Sequence, residues 1–207
     1  MGKPGIVARI ILSLLAGALI APGTAQAQFS KSYKFLEAVR KKEGEKVTDA
    51  LDEPGSNIVN TRDSTTGETG LHIVTARRDL TWMTFLIAKG ANVDLRDSRG
   101  TTPLQLAVNL GFQEGVNLLI ANKARLDEPN AAGETPLISA VHRRDIAIMR
   151  QLLKAGSDPE RADNSGRSAR DYALLDGKGS SLVSEIEGSA KPKGQRAGAQ
   201  RTYGPAL

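Results

Sequence analysis

Apolar residues return along the middle of this chain three and four positions apart, the spacing that lines one face of a helix. Leu104, Ala107 and Val108 make one such stripe, and Val116, Leu119 and Ile120 make a second beyond the break at Gly111. Trp82, Met83, Phe85 and Leu86 open another, with Ile148 and Met149 in an equivalent place further on. Nearer the N-terminus, Phe35, Leu36 and Val39 followed by Val47, Ala50 and Leu51 predict a helix pair over 32–53. Short paired helices joined by polar turns are the expected elements, so the chain is expected to be mainly α.

A longer period overlies the short one. Gly67, Gly100, Gly133 and Gly166 stand 33 residues apart, Thr69, Thr102 and Thr135 follow two residues after the first three, and Leu71, Leu104 and Leu137 four after. Gly90 and Gly156 share a second phase, and Asp94 and Asp127 a third. A repeat of this size marks a solenoid, in which each unit buries its apolar face against the next. Thr102 and Thr135 are placed to cap helix N-termini, and Pro103 and Pro136 occupy first helical turns, where a missing N–H costs nothing. Lys123 stands where Gly90 and Gly156 supply a left-handed helix end, so slight strain is expected there.

The units Gly100-Thr101-Thr102-Pro103-Leu104-Gln105-Leu106-Ala107-Val108 and Gly133-Glu134-Thr135-Pro136-Leu137-Ile138-Ser139-Ala140-Val141 resemble the ankyrin repeat, whose signature is Thr-Pro-Leu-His-x-Ala at this period. The resemblance is strong over residues 56–176 and implies an ankyrin-repeat solenoid of helix-turn-helix units with β-hairpin fingers, such as Asp94 to Arg99. It divides the chain into a degenerate N-terminal repeat at 28–66, repeats at 67–99, 100–132 and 133–165, and a C-terminal capping repeat at 166–187. In that last unit the second helix, around Leu182 to Ile186, is expected to be shortened by Gly177-Lys178-Gly179.

The two ends read differently. Lys3 and Arg9, the apolar run Ile10 to Ile20, a break at Pro22-Gly23 and the small residues of Ala25-Gln26-Ala27 have the form of a cleavable signal peptide at 1–27, with Gln28 as the mature start. An uncleaved anchor is the alternative. Export places the protein in the periplasm, where it resembles an exported bacterial ankyrin-repeat protein. The tail at 188–207 has four basic residues, no acids and four glycines, and is expected to be disordered.

Composition sharpens this picture at three points. Aromatics are only 4% of the chain, so the core must be filled with aliphatic residues and alanine. There is no cysteine, which excludes disulfides, thiol chemistry and a lipidated N-terminal cysteine. Residues 28–187 hold 22 basic and 23 acidic side chains, so the net charge of +5 comes from the two ends. The basic tail could meet an anionic membrane or polymer, and nothing points to specific nucleic-acid recognition.

Candidate chemistry is scarce. His72 stands at the histidine position of the family signature, where the resemblance implies a hydrogen bond between repeats. His142 lies beside Arg143 and Arg144, an unfavourable setting for a metal. No catalytic triad spacing, metal-ligand pair or phosphate loop is present, so no enzyme activity, cofactor or metal is expected. By resemblance, partners meet the concave face. Register puts Glu68, Thr101 and Glu134, the helix ends Ala76, Arg77, Asn109, Leu110, His142 and Arg143, and the finger residues Arg96, Ser98, Arg99, Pro129, Ala131 and Ala132 on it. The arginines among them hint at an acidic or polar partner. The expectation is a monomeric protein-binding module that holds or protects an envelope protein, with the basic-tail tether as the alternative.

Overall fold

The computed structural model describes the backbone of residues 22–190 and the side chains of residues 31–190. Among them are ten helices in five antiparallel pairs: α1 (Pro22–Lys41) with α2 (Gly44–Asp52), α3 (Gly70–Ala76) with α4 (Leu80–Ala88), α5 (Pro103–Asn109) with α6 (Gln113–Ala121), α7 (Pro136–His142) with α8 (Ile146–Ala155), and α9 (Ala169–Leu175) with α10 (Ser181–Ser189). The odd-numbered helices stack on one another in a single row, and α4, α6, α8 and α10 stack in a second. This is the helical solenoid that the period implied.

The first helices of the last four pairs begin for the same reason. Thr69, Thr102, Thr135 and Ser168 accept a hydrogen bond from the backbone N–H three residues on, satisfying a donor the helix cannot, and Pro103 and Pro136 open their helices as expected. Their apolar stripes then meet between repeats. Leu71, Leu104 and Leu137 are buried, as are Ala107 and Ala140, whose small side chains let neighbouring helices close on each other. Met83, Leu86, Val116, Leu119, Ile148, Met149 and Leu152 from the second helices complete a continuous aliphatic core. Each such leucine removed from water contributes about 1.5–3 kcal/mol.

The fingers between units are turns rather than strands. Among the described residues the only β pairing is the isolated bridges Arg62 with Thr69 and Ala162 with Ser168. Asp63, Asp97, Asn130 and Asp163 each close a finger with two backbone bonds: their N–H groups donate to the carbonyls of Glu68, Thr101, Glu134 and Arg167, and their carbonyls accept from the N–H groups of Gly67, Gly100, Gly133 and Gly166. The same four side chains turn their Oδ1 onto two backbone N–H groups of the finger, using the donors that a hairpin ladder would need. The remaining backbone groups reach sideways: Ser98 N–H to the Thr66 carbonyl, Ala131 N–H to Arg99, and Asn164 N–H to Ala132. The fingers thus hydrogen-bond to each other across repeats.

Three local expectations change. Helix α1 begins at Pro22, ten residues before the expected start of the first helix pair at 32, with proline at a first helical position, where it is tolerated. Helix α10 spans nine residues and is not shortened; Ser180 caps it, and Gly177, at φ 103°, absorbs the turn before it. It also takes Gly188 and Ser189 from the predicted tail. Lys123 does adopt the left-handed conformation, at φ 64°. The charged and apolar regions of the expected signal peptide, and residues 191–207 of the tail, lie outside the described residues. No helix among the described residues is long and apolar enough to cross a membrane.

Candidate partner-binding surface

The row of odd-numbered helices from α3 on, the inner row by the family resemblance, presents an exposed position at the C-terminal end of each helix: Ala76, Asn109, His142 and, by the same register, Leu175. Leu175 is 71% exposed, unusual for a leucine in a packed repeat. Beside this row, Glu68, Glu134 and Arg167 stand just after the finger glycines and are at least partly exposed. The finger residues Ser98, Arg99, Ala131 and Ala132 are also exposed, and Pro129 is half-buried.

Two of the predicted contact residues do not belong to that surface. Thr101 is only 8% exposed. Its N–H is held by the Asp97 carboxylate at 2.8 Å, and its carbonyl accepts from both the Asp97 N–H and His72. Arg77 turns back into the stack, where its guanidinium donates to the carbonyls of Val39 at 2.5 Å and Arg40 at 3.0 Å. These are last-turn carbonyls of α1, of which Val39 also accepts from the Lys42 N–H at 3.3 Å, so Arg77 adds to the capping of that helix. Asp79 at 3.7 Å and the Trp82 ring at 5.9 Å hold the rest of its side chain.

Other predicted positions are exposed to different degrees. Arg96 is paired with Glu128; although burial favours the neutral acid, that guanidinium holds the Glu128 carboxyl below its ordinary range. Leu110 is half-buried at the core edge, its carbonyl accepting from Arg78. Glu68 lies 3.9 Å from Arg40 and accepts from the Thr66 hydroxyl. Asn109 is exposed and accepts from Gln105, whose amide also reaches Ser139 in the next repeat at 2.6 Å. Arg99, its side chain 77% exposed, touches only Asp97 of its own finger at 3.3 Å. Arg143 is exposed, and its guanidinium reaches over the turn at Gly111.

Residues that the sequence reading passed over stand in the last unit. Tyr172 meets His142 edge to face with ring centres 4.4 Å apart, while Glu134 approaches the His142 Nδ1 at 3.3 Å. The Tyr172 hydroxyl donates to Asp163 at 2.7 Å, and the Arg167 guanidinium stands 5.9 Å from the centre of its ring. The signal was available, since Arg167, Tyr172 and Leu175 lie one period after Glu134, Ser139 and His142. Reading the unit as a cap concealed it.

His72 answers the family expectation. It is 1% exposed, its Nε2 lies 2.9 Å from the Thr101 carbonyl and its Nδ1 accepts from the Thr69 N–H, so it joins two repeats as the neutral Nε2–H tautomer. No group of acidic and histidine side chains among the described residues is arranged to hold a metal ion.

Comparison with known proteins agrees with this geometry. A model of three ankyrin repeats matches residues 35–130, and a single ankyrin-repeat model matches 132–164, between them more than half the chain. The chain belongs to the ankyrin-repeat family. Ankyrin repeats are protein-binding modules. The first match starts at Phe35, so α1 and α2 count as a repeat. Similar proteins include neurogenic locus notch homolog protein 1 of Danio rerio, 36% identical over 122 residues, which are 58% of this chain and 5% of that protein. The ANK repeat-containing protein nipk-1 of Caenorhabditis elegans is 30% identical over 150 residues, 65% of this chain and 23% of that protein. A putative ankyrin repeat-containing protein of Treponema pallidum (strain Nichols) is 37% identical over 91 residues, 44% and 30% of the two chains. The chain thus spans under a third of the length of each of these relatives, and the likeness concerns the repeat stack.

Proposed function

We propose that this protein is a non-catalytic binding module of the bacterial envelope, whose inner helical face and fingers hold another protein. The observation that carries the reading is the division of labour within each repeat. Leu71, Leu104 and Leu137 are consumed by packing and the finger side chains by turn closure, whereas Ala76, Asn109, His142 and Leu175 form a periodic row that stays exposed. A row at the period of the stack offers one contact per repeat to a single partner surface. The periplasmic setting rests on the charged, apolar and small-residue segments of 1–27.

A photoreactive amino acid at Asn109 or His142, compared with one at Gln113 or Glu114 in the first turn of α6, tests the face. The same protein adduct is expected from both inner positions and from neither outer one; equal adducts from both faces would exclude the inner surface. N-terminal sequencing of the protein from the periplasmic fraction is expected to begin at Gln28, and retention of Met1 in a membrane fraction would overturn the location.

A further inference from the structure

The inner face is not chemically uniform, and the imbalance lies in its C-terminal half. Acids there are already engaged within the fold. Glu134 accepts from Asn130 and approaches His142. Asp163 accepts from the Ser165 and Tyr172 hydroxyls and from finger N–H groups. Asp171 is held by the Ser168 N–H at 2.8 Å and hydroxyl at 2.7 Å. The arginines are not so engaged. Arg143 and Arg167 are exposed, and neither guanidinium has an ion pair or hydrogen bond among the described residues. Arg167 instead stands by the Tyr172 ring, which fixes its position without neutralising it.

The same two units also carry apolar surface. His142 and Tyr172 make an edge-to-face pair, and the exposed Leu175 stands one repeat on from His142. Arg167 precedes the N-terminus of α9, and Arg143 follows the C-terminus of α7, helices of seven residues each.

Resting on the inner-face reading above, the geometry points to an acidic, apolar-centred protein segment as the occupant of this patch. Its carboxylates pair with Arg143 and Arg167, and its apolar residues cover Tyr172 and Leu175. Guanidinium recognises carboxylate by paired N–H donors, and Asp171, the acid near Arg167, is already held by the Ser168 N–H and hydroxyl. Charge complementarity of this kind raises association rate and selects against basic partners.

The test uses the full mature chain and a fluorescent synthetic peptide of Glu-Leu-Leu repeats, with a Gln-Leu-Leu counterpart and long-chain polyphosphate as competitors. The acidic peptide should bind at least about tenfold more tightly than the neutral one at low salt, with the advantage shrinking as salt rises. Arg143→Gln with Arg167→Gln should remove the advantage, whereas Lys46→Gln with Lys154→Gln, which changes net charge equally, should keep it. Reversal by Arg143→Glu with Arg167→Glu should transfer preference to a Lys-Leu-Leu peptide. Equal binding of acidic and neutral peptides, indifference to the arginine variants, or binding of polyphosphate alone would overturn the inference. Those results alongside inner-face cross-links would remove the acidic chemistry and leave the face standing; loss of the cross-links would remove both.

Discussion

The His72 Nε2 lies 2.9 Å from the Thr101 carbonyl oxygen, so a side chain in one repeat donates to the backbone of the next from within the core. Burial pushes the His72 pKa below its ordinary value, against the pull of that carbonyl and of Asp97. The unfolded chain, with an ordinary histidine near 6.5, therefore takes up a proton before the folded chain does. His72 should contribute a loss of stability as pH falls through the unfolded value, continuing until the folded form also titrates. Denaturant unfolding between pH 8 and 5 should show this slope, and His72→Gln should flatten it at a cost of about 1–3 kcal/mol for the disturbed buried bonds.

Asp127 works in the opposite sense. It is largely buried, accepts from the Ser157 hydroxyl at 2.5 Å and the Asp158 N–H at 3.1 Å, and burial raises its pKa to about 6, with those two bonds opposing. The folded chain then holds a proton that the unfolded chain has lost between about pH 4 and 6. Stability from this group falls as pH rises through that window. Asp127→Asn keeps an oxygen for both donors and carries no charge. It should stabilise the fold at pH 8 by about 1–2 kcal/mol and leave it unchanged at pH 4, the gain reflecting the desolvation cost of a buried carboxylate. Equal melting of variant and parent at pH 8 would refute this.

Arg77 and Arg143 occupy one register position, yet their costs on truncation should differ. Arg77→Ala removes the guanidinium from the Val39 and Arg40 carbonyls and should destabilise by about 1.5–3 kcal/mol, the range for a hydrogen bond to a charged group. Arg143→Ala touches an exposed side chain and should fall within about 0.5 kcal/mol. Thermal unfolding of the two variants separates the cap from the contact residue, and equal losses would contradict the assignment.

That pair also marks what was legible beforehand. The period, the threonine caps and the buried leucines follow from residue type alone, because a 33-residue recurrence leaves few ways to bury Leu104 and Leu137. His72 was legible because the family signature includes its position. Arg77 was not, since its role depends on where the last carbonyls of α1 end, a long-range relation that register cannot express. Nor was the finger conformation: Asp97 and Asn130 take the backbone donors of the turn through their side chains, and a pattern that suggests a hairpin cannot reveal this competition.

The register glycines allow the stacking itself to be measured. Gly133 and Gly166 have nearly the same backbone, with φ of 82° and 79°, so replacing either by alanine incurs the same left-handed penalty of about 1–2 kcal/mol. Their surroundings differ. A Cβ on Gly133 would lie 2.5 Å from the backbone nitrogen of Asn164, part of the finger that hydrogen-bonds to Ala132. A Cβ on Gly166 would meet nothing within 4 Å among the described residues. Gly166→Ala should therefore cost only the conformational penalty, whereas Gly133→Ala should cost about 1–3 kcal/mol more, the usual range for forcing extra atoms into packed structure. Hydrogen exchange locates the damage: the Asn164 amide should lose protection in Gly133→Ala and keep it in Gly166→Ala. If both variants lose the same stability and the Asn164 amide stays protected, finger-to-finger contact is not what makes glycine necessary at this period.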